Sequence, residues 1–578
     1  MKSGPDQRRS NEDPLASTLY YGAIPNTRLL VPPARYRQAA DPSTSPILHL
    51  LPPARHYDTQ TENKDNHFHY TAKNDNNNID DDDDDDSLND ETLLFAKERL
   101  LEQANDFDLP YNAERGYRAT EFRLCSTRRP HMRAFQASWI CFFASGFCQF
   151  AMAPLLPQLQ DSLHLSKHDI WWTNVGMAMG GVPLRFLLGP LCDSYGPRLV
   201  MVWILVLCAI PCALSGVIVV NLATLVLVRF VMGAMDAFVP CQCWITSHFV
   251  REVGGTIMAI AGGLGASGAA FTQLVVGSLF AICLSWTDGS EDLAWRLALV
   301  FPAALALLVA WWSYHCSDDC PLGNFMDVKK AGLMMERSAV DSFRSGALNL
   351  NSWLLFLQYA GSSGVDVTMC NGCAIYFHQQ FHQNIQASGA IAFLYGFAAL
   401  YARGLGGYIS DRLGDSFQLQ GRLWIHFLVM ILQGLLNIWF ARCTDLNTSM
   451  IIMVVFSILV QVSMGTCYGV VPYVDSPNTG SVAGIVGAGG NVGAALLGIF
   501  FMRYDYDMAM ELMGWFTIVM GLLSPLIVIK GYRGILFGMD DHEEASRKQH
   551  SPLLVPKMQH SPHLVKLRQK RRLQGGPL

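Results

Sequence analysis

Two stretches decide the fold: Arg185-Phe-Leu-Leu-Gly189-Pro-Leu-Cys-Asp193-Ser-Tyr-Gly196-Pro-Arg198 and Arg403-Gly-Leu-Gly-Gly407-Tyr-Ile-Ser-Asp411-Arg412-Leu-Gly414. Both read Arg-x3-Gly-x3-Asp-x2-Gly, and each closes an apolar run long enough to cross roughly 30 Å of hydrocarbon as a helix. Found once, such a pattern is weak. Found at equivalent places in two halves of one chain, it marks a membrane protein built from parallel internal repeats.

Working outward, 51% of the 578 residues are hydrophobic and 16% are charged, whereas an ordinary soluble domain carries about 25% charge. The net charge of -6 reflects the acidic run Asp80 to Asp86 and does not characterise the apolar part. Twelve spans are expected at about 133–156, 169–192, 199–219, 222–246, 255–284, 293–314, 350–377, 387–410, 422–441, 449–473, 481–502 and 508–530. An even number leaves both ends on one side. The loops on that side hold Arg198, Arg251, Lys329, Lys330, Arg337, Arg412 and Arg422, and the opposite loops little beyond Lys167, Arg442 and Arg503. Both tails are therefore expected in the cytoplasm.

The expected organisation is an all-α polytopic protein in five parts. Residues 1–128 form a disordered cytoplasmic tail, 129–314 a six-helix half, 315–349 a cytoplasmic loop, 350–530 a second six-helix half, and 531–578 a disordered cytoplasmic tail. Within the first tail, an amphipathic helix is expected near Leu93 to Leu101, and His67 and His69 read as solvated rather than metal-binding. The second tail repeats Gln549-His550-Ser551-Pro552 as Gln559-His560-Ser561-Pro562, either phosphorylation sites or a plain basic tail. Most of the fifteen cysteines sit in apolar spans and read as small hydrophobes. Cys370 with Cys373, and Cys316 with Cys320, lack a second ligand pair and read as structural. No signal peptide, cofactor site, metal constellation, nucleic-acid surface or nucleophile with a base is expected. The chain does not read as an enzyme, and an ion gradient rather than ATP is the expected energy source.

Eight residues at about 1.5 Å rise place Arg185 and Arg403 roughly 12 Å deeper than Asp193 and Asp411, near the bilayer middle. An arginine at that depth faces an interior cavity and marks a solute route. The competing expectation is that Asp236 and Asp366, the intramembrane acids, simply neutralise the pair. Two symmetric cations without symmetric acids favour an anionic cargo.

A second repeated pattern is rich in glycine. Gly262-Gly263-Leu-Gly265-Ala266-Ser267-Gly268-Ala269-Ala270 and Gly487-Ala-Gly489-Gly490-Asn491-Val492-Gly493-Ala494-Ala495 share Gly-x2-Gly-Ala-Ala. Such runs let a helix or a ligand approach the backbone closely, and both readings stay open.

At these residues the chain resembles the major facilitator superfamily, whose loop signature matches Gly189-x-Leu191-x-Asp193-x2-Gly196-x-Arg198. More narrowly, it is similar to the nitrate/nitrite porter family, specifically the eukaryotic high-affinity nitrate transporters of plants, fungi and algae. The residues that carry this are His131-Met132-Arg133-Ala134-Phe135, Ala153-Pro154-Leu155, Arg229-Phe230 to Cys241-Gln242-Cys243-Trp244, Ala294-Trp295-Arg296 and Gly487-Ala-Gly-Gly-Asn491-Val-Gly493. The resemblance covers about residues 130–530.

The resemblance implies a twelve-helix major-facilitator fold in two pseudo-symmetric halves. It also implies a nitrate site made by Arg185 and Arg403, with Tyr359 donating its hydroxyl and Asn491, Gly263 and Gly489 completing the cage. Gly189, Asp193, Arg198, Asp411 and Arg412 would form the gating contacts. The family usually has Asn where this chain has Ala266, so one amide contact is missing. Asp366 falls where relatives carry an acid and is the first candidate proton carrier, with Asp236 second. Nitrate, a planar monoanion, suits two opposed guanidinium forks. Nitrate uptake with protons at the plasma membrane, with nitrite as a second substrate, is the leading expectation; an accessory single-span subunit is a candidate partner, and an internal membrane such as a vacuole is the alternative location. Carriage of another small anion or solute, nitrate/nitrite exchange, and a transporter-like sensor are the alternatives.

Overall fold

The computed structural model describes residues 107–330, 339–475 and 478–538. Without water in the hydrocarbon layer, backbone groups must bond within their own segment, and helices do this. Ten helical runs among the described residues are long and apolar enough to cross a membrane. One of them, Ile385–Ala441, is two spans in series, because Phe417 and Gln418 leave helical geometry and Gln418 turns the chain at φ 51°. Leu350–Gln380 has 31 residues and ample length, but polar side chains such as Gln358, Ser363, Asp366 and Asn371 dilute its hydropathy. With that run split and this helix included, the described residues make twelve spans in two six-helix halves. The long segment between Cys316 and Leu350 divides them.

Burial sorts the spans into an inner and an outer set. Span one (His131–Ser162) and span eleven (Thr479–Arg503) are 78% and 72% buried over their most apolar stretch. Span three (Pro197–Ile218) and span twelve (Tyr506–Leu526) are each only 39% buried. The outer spans turn large apolar side chains outward, among them Trp203, Leu207, Leu308, Trp311 and Trp515. In a soluble protein such surface would be a liability, and here it is the face that meets lipid.

Span four (Leu222–His248) was expected to be continuous and is broken. Its first helix stops at Ala234 and its second starts at Phe238. Pro240 explains the break, since a proline removes the bond to the carbonyl four residues earlier and its ring collides with that carbonyl, here of Asp236. The Phe238 amide donates to Asp236 Oδ1 at 2.7 Å, so the acid satisfies the first amide of the second half-helix from one residue before its N-cap, Ala237.

The other departures lie at the ends and in the connection between the halves. Residues 107–128, expected within the disordered tail, are folded. Strand β1 (Tyr111–Asn112) pairs antiparallel with β2 (Arg118–Ala119), and the Val250 amide donates to Ala119 O at 3.0 Å. This local ribbon docks under span five (Arg251–Trp286) through a contact that no local periodicity announces. The loop expected at 315–349 contains helices Phe325–Lys330 and Ala339–Leu348. In the second of these Phe343 packs on Phe186, and Ser342 bonds Ser481 at 2.9 Å. The last span ends at Leu526 rather than 530, with Ser524-Pro525 closing it in a 3-10 turn. The acidic run, His67, His69, the helix expected near Leu93 and the Ser-Pro repeats lie outside the described residues.

Candidate functional site

Span two (Lys167–Tyr195) and span eight (residues 385–416) bring Arg185 and Arg403 to one central cavity of about 60 Å³. A single water needs about 10–15 Å³ on this measure, so the space suits a few small groups rather than a sugar or a peptide. Both arginines are 4% exposed. Tyr359, Asn491, Asp236 and Asp366 also line the cavity.

Each arginine reaches into the opposite half. Arg185, in the first half, donates through Nη1 to the Gly487 carbonyl in span eleven. Arg403, in the second half, donates through Nη1 to the Gly262 carbonyl in span five at 3.1 Å. Gly262 and Gly487 each open their glycine run, so the two cross-half contacts are equivalent in the internal repeat. The guanidiniums thus couple the halves at the level of the cavity.

The competing expectation was that Asp236 and Asp366 neutralise the arginines, and each arginine does have one of these acids beside it. Arg185 Nη2 bonds Asp236 Oδ2 directly. Arg403 lies 3.6 Å from Asp366 Oδ2, and Gln461 stands between them. Its Oε1 accepts from Arg403 Nε at 3.0 Å and Nη2 at 2.8 Å, while its Nε2 donates to Asp366 Oδ1 at 2.8 Å. The acids come from spans four and seven, which are not equivalent positions of the repeat, so the cations are symmetric and their counter-charges are not. Gln461 escaped the sequence reading. Its signal was an amide in the middle of span ten (Leu446–Val474), a strongly apolar helix.

Tyr359 packs in an aromatic group toward the face where span one begins and span twelve ends, the termini face. It stacks on Phe238 at 6.4 Å and meets Tyr468 edge-on at 5.2 Å. Gly263 and Gly489 do not line the cavity. A Cβ on Gly263 would collide with the Ala399 carbonyl, and one on Gly489 with the Phe356 carbonyl, so both permit close helix packing. Ala266 lines the cavity with a methyl where Asn491, its counterpart in the repeat, offers an amide.

The gating-motif residues lie at the termini face. Gly189 packs against Gly480, where a Cβ would sit 3.2 Å from the Gly480 carbonyl. Asp193 falls in the last turn of span two and is partnered. Arg198 grips the inter-half loop: its amide donates to Asp319 Oδ1 at 2.9 Å and its Nη1 to Ser317 O at 2.7 Å. Burial raises the Asp319 carboxyl above the usual carboxylate range, against the opposing pull of Arg198. Asp411 bonds Thr256 of span five and Arg422 of span nine, closing spans five, eight and nine together. Arg412 Nε donates to the Tyr408 hydroxyl at 3.0 Å.

Residues 138–498 match the model of the Major Facilitator Superfamily. Among curated proteins, the chain is 34% identical over 436 residues to "High affinity nitrate transporter 2.5" of Arabidopsis thaliana, covering 75% of this chain and 86% of that one. It is 32% identical to "High-affinity nitrate transporter 2.3" of Oryza sativa subsp. japonica over 75% of this chain and 84% of the other. It is 33% identical to "Nitrate transporter 2.1" of Chlamydomonas reinhardtii over 67% and 71%. Among solved structures, a bacterial homolog of the human lysosomal transporter Spinster, inward-facing and unoccupied, superposes with a TM-score of 0.51 at 16% identity. The match covers 69% of this chain and 97% of that one, and it speaks for the fold alone. The chain belongs to the major facilitator superfamily and, within it, to the family of the high-affinity nitrate transporters of plants and algae.

Proposed function

We propose that this chain is a secondary active transporter that takes up nitrate, and nitrite as a second substrate, by alternating access. The observation that carries this is the pair of buried guanidiniums that meet at one small cavity, each anchored on the glycine run of the opposite half. Guanidinium presents a planar fork of donors, and nitrate a planar set of equivalent acceptors. An anion held by both forks is held by both halves, which suits a carrier whose halves rock about a fixed site.

The same donors explain a role for protons. Arg185 and Arg403 are turned toward Asp236 and Asp366, so an entering anion competes with those carboxylates for the guanidiniums. A proton on Asp366 removes its negative charge and releases Arg403 to the anion, and a proton on Asp236 does the same for Arg185. Proton symport follows from this competition, with Asp366 as the first carrier and Asp236 as the second. The distribution of Lys and Arg favours cytoplasmic termini, and a plasma-membrane location is the reading that fits an uptake carrier. A single-span accessory subunit is the expected partner for surface delivery.

The test is uptake of labelled nitrate by nitrate-uptake-deficient cells that express the full chain, with and without an accessory subunit. Accumulation that is lost when a protonophore collapses the proton gradient is expected. A chain shown at the surface that moves neither nitrate nor nitrite under either condition overturns the reading, and strict nitrate-for-nitrite exchange overturns the symport part alone.

A further inference from the structure

A third buried arginine is left outside the central site. Arg229 is 2% exposed, in the first helix of span four, seven residues before Asp236. All its hydrogen-bond partners are neutral. Nη1 donates to Thr173 Oγ1 at 3.1 Å, and Nη2 donates to Asn371 Oδ1 at 2.6 Å and to Met177 Sδ at 3.3 Å. Among the described residues no carboxylate forms an ion pair with it, whereas Arg185 and Arg403 each have one. A thioether is a weak acceptor, and neutral oxygens leave the positive charge uncompensated. A buried cation in that condition is costly and is kept where function uses it.

Its position is informative. Met177 lines the central cavity, and Asn371 follows the lining residue Cys370. Arg229 is therefore one side chain beyond the cavity. Arg229 precedes Asp236 by seven residues on a span that runs from the far face, so it lies nearer than Asp236 to the face opposite the termini. On that side Trp171 stacks on Phe501 at 4.2 Å, and a Cβ on Gly372 would collide with its ring. Thr173 and Met177 belong to the first half and Asn371 to the second, so Arg229 spans the seam that must open for entry from the far face.

We propose that Arg229 is an entry post: a second binding position for the same small monovalent anion, between the far face and the Arg185/Arg403 cavity. The inference rests on the anion-carrier reading. When the halves part on the far side, the bond to Asn371 breaks and frees a donor on an uncompensated cation, which then takes the arriving anion and hands it inward past Met177. A mere strut would use the same hydrogen bonds but would not need the charge to stay unpaired.

Asn371→Asp separates the two, because it supplies Arg229 with a carboxylate at the place of the present amide and keeps the bridge between the halves. Full-length protein in proteoliposomes of known orientation is assayed for nitrate entering from each face in turn. The expected result is a KM for far-side nitrate raised roughly 10-fold, a KM from the termini side changed less than about twofold, and thermal stability retained. Arg229→Gln should show the same one-sided loss and Arg229→Lys should recover part of it. Wild-type KM on both faces for Asn371→Asp, or an equal loss on both faces in all three variants, overturns the entry post and leaves the carrier reading standing. A wild-type chain that moves neither nitrate nor nitrite from either face overturns both.

Discussion

Arg185 and Arg403 occupy the same place in the two halves and reach matching carbonyls, yet their acids arrive by different routes. Asp236 touches Arg185 directly and also accepts from the first amide of a half-helix, that of Phe238. Asp366 stands 3.6 Å from Arg403 and is bound to it chiefly through Gln461. The first acid is part of the backbone architecture, and the second is a side chain on an intact helix. What the repeat conserves is the cation and its carbonyl anchor, and what differs between the halves is how tightly the cation is restrained. The second half holds the looser pair, with an amide between acid and cation.

The largest expected effect comes from the feature the halves share. Arg185→Lys and Arg403→Lys keep the charge and lose the planar fork. Each loses at least one charge-assisted hydrogen bond to the anion, about 3 kcal/mol, and should cut kcat/KM for nitrate by roughly 100-fold or more. Both variants should still reach the surface, which cell-surface labelling checks. Near-normal uptake by either one contradicts the clamp. Poor surface delivery of both would instead support a purely structural ion-pair role.

The second effect probes what the halves do not share. Asp366→Asn removes the competitor of Arg403 without disturbing a helix end, so uptake should lose most of its stimulation by acid on the far side while nitrate binding survives. The sign follows from the proton's effect: acid neutralises the carboxylate, frees the guanidinium and raises uptake, and a permanently neutral amide is insensitive. Asp236→Asn should act differently. An amide oxygen can still accept from the Phe238 amide, but the direct ion pair is lost, so roughly a 10-fold fall in activity and a lower melting temperature are expected together. Comparing uptake across external pH for the two variants is the measurement. Equal retention of the pH response in both would remove Asp366 and Asp236 as proton carriers.

The shared features were legible in the sequence because they are periodic. The repeated Arg-x3-Gly-x3-Asp-x2-Gly motif and the paired glycine runs state the two-half architecture, the twelve spans and the depth of the arginines without any structure. The unshared features were not, because they come from non-equivalent spans. Nothing in the sequence says that Asp236 of span four faces Arg185 of span two, although Pro240 four residues on was a readable sign that the helix breaks there. Gln461 was visible only as an amide in an apolar span. The folded ribbon at 107–128 was missed because it holds to Phe249 and Val250 by a long-range pairing. Gly263 and Gly489 were read as cage members, yet crowding against spans eight and seven, a tertiary fact, gives them to packing.

The smallest expected effect tests the missing amide. Asn491 and Ala266 are counterparts in the repeat, related by the same offset as Gly487 and Gly262, and both line the cavity. Asn491 has room because Gly181 faces it, where a Cβ would collide with its Nδ2. The counterpart of Gly181, by the register that relates Arg185 to Arg403, is Ala399, which also lines the cavity, and by the repeat its methyl is expected where an amide at 266 would lie. Asn at 266 is thus disfavoured by its neighbour. Ala266→Asn alone should overpack the site and lower uptake, at a cost of about 1 kcal/mol or roughly fivefold. The double variant Ala266→Asn with Ala399→Gly restores both halves to the same pattern, and it should regain the lost uptake and lower KM for nitrate below the wild-type value. Direct comparison of KM for the two variants decides the matter: if the single variant already improves KM and the glycine adds nothing, the two positions do not share space and the register proposed between the halves is wrong at this level of the membrane.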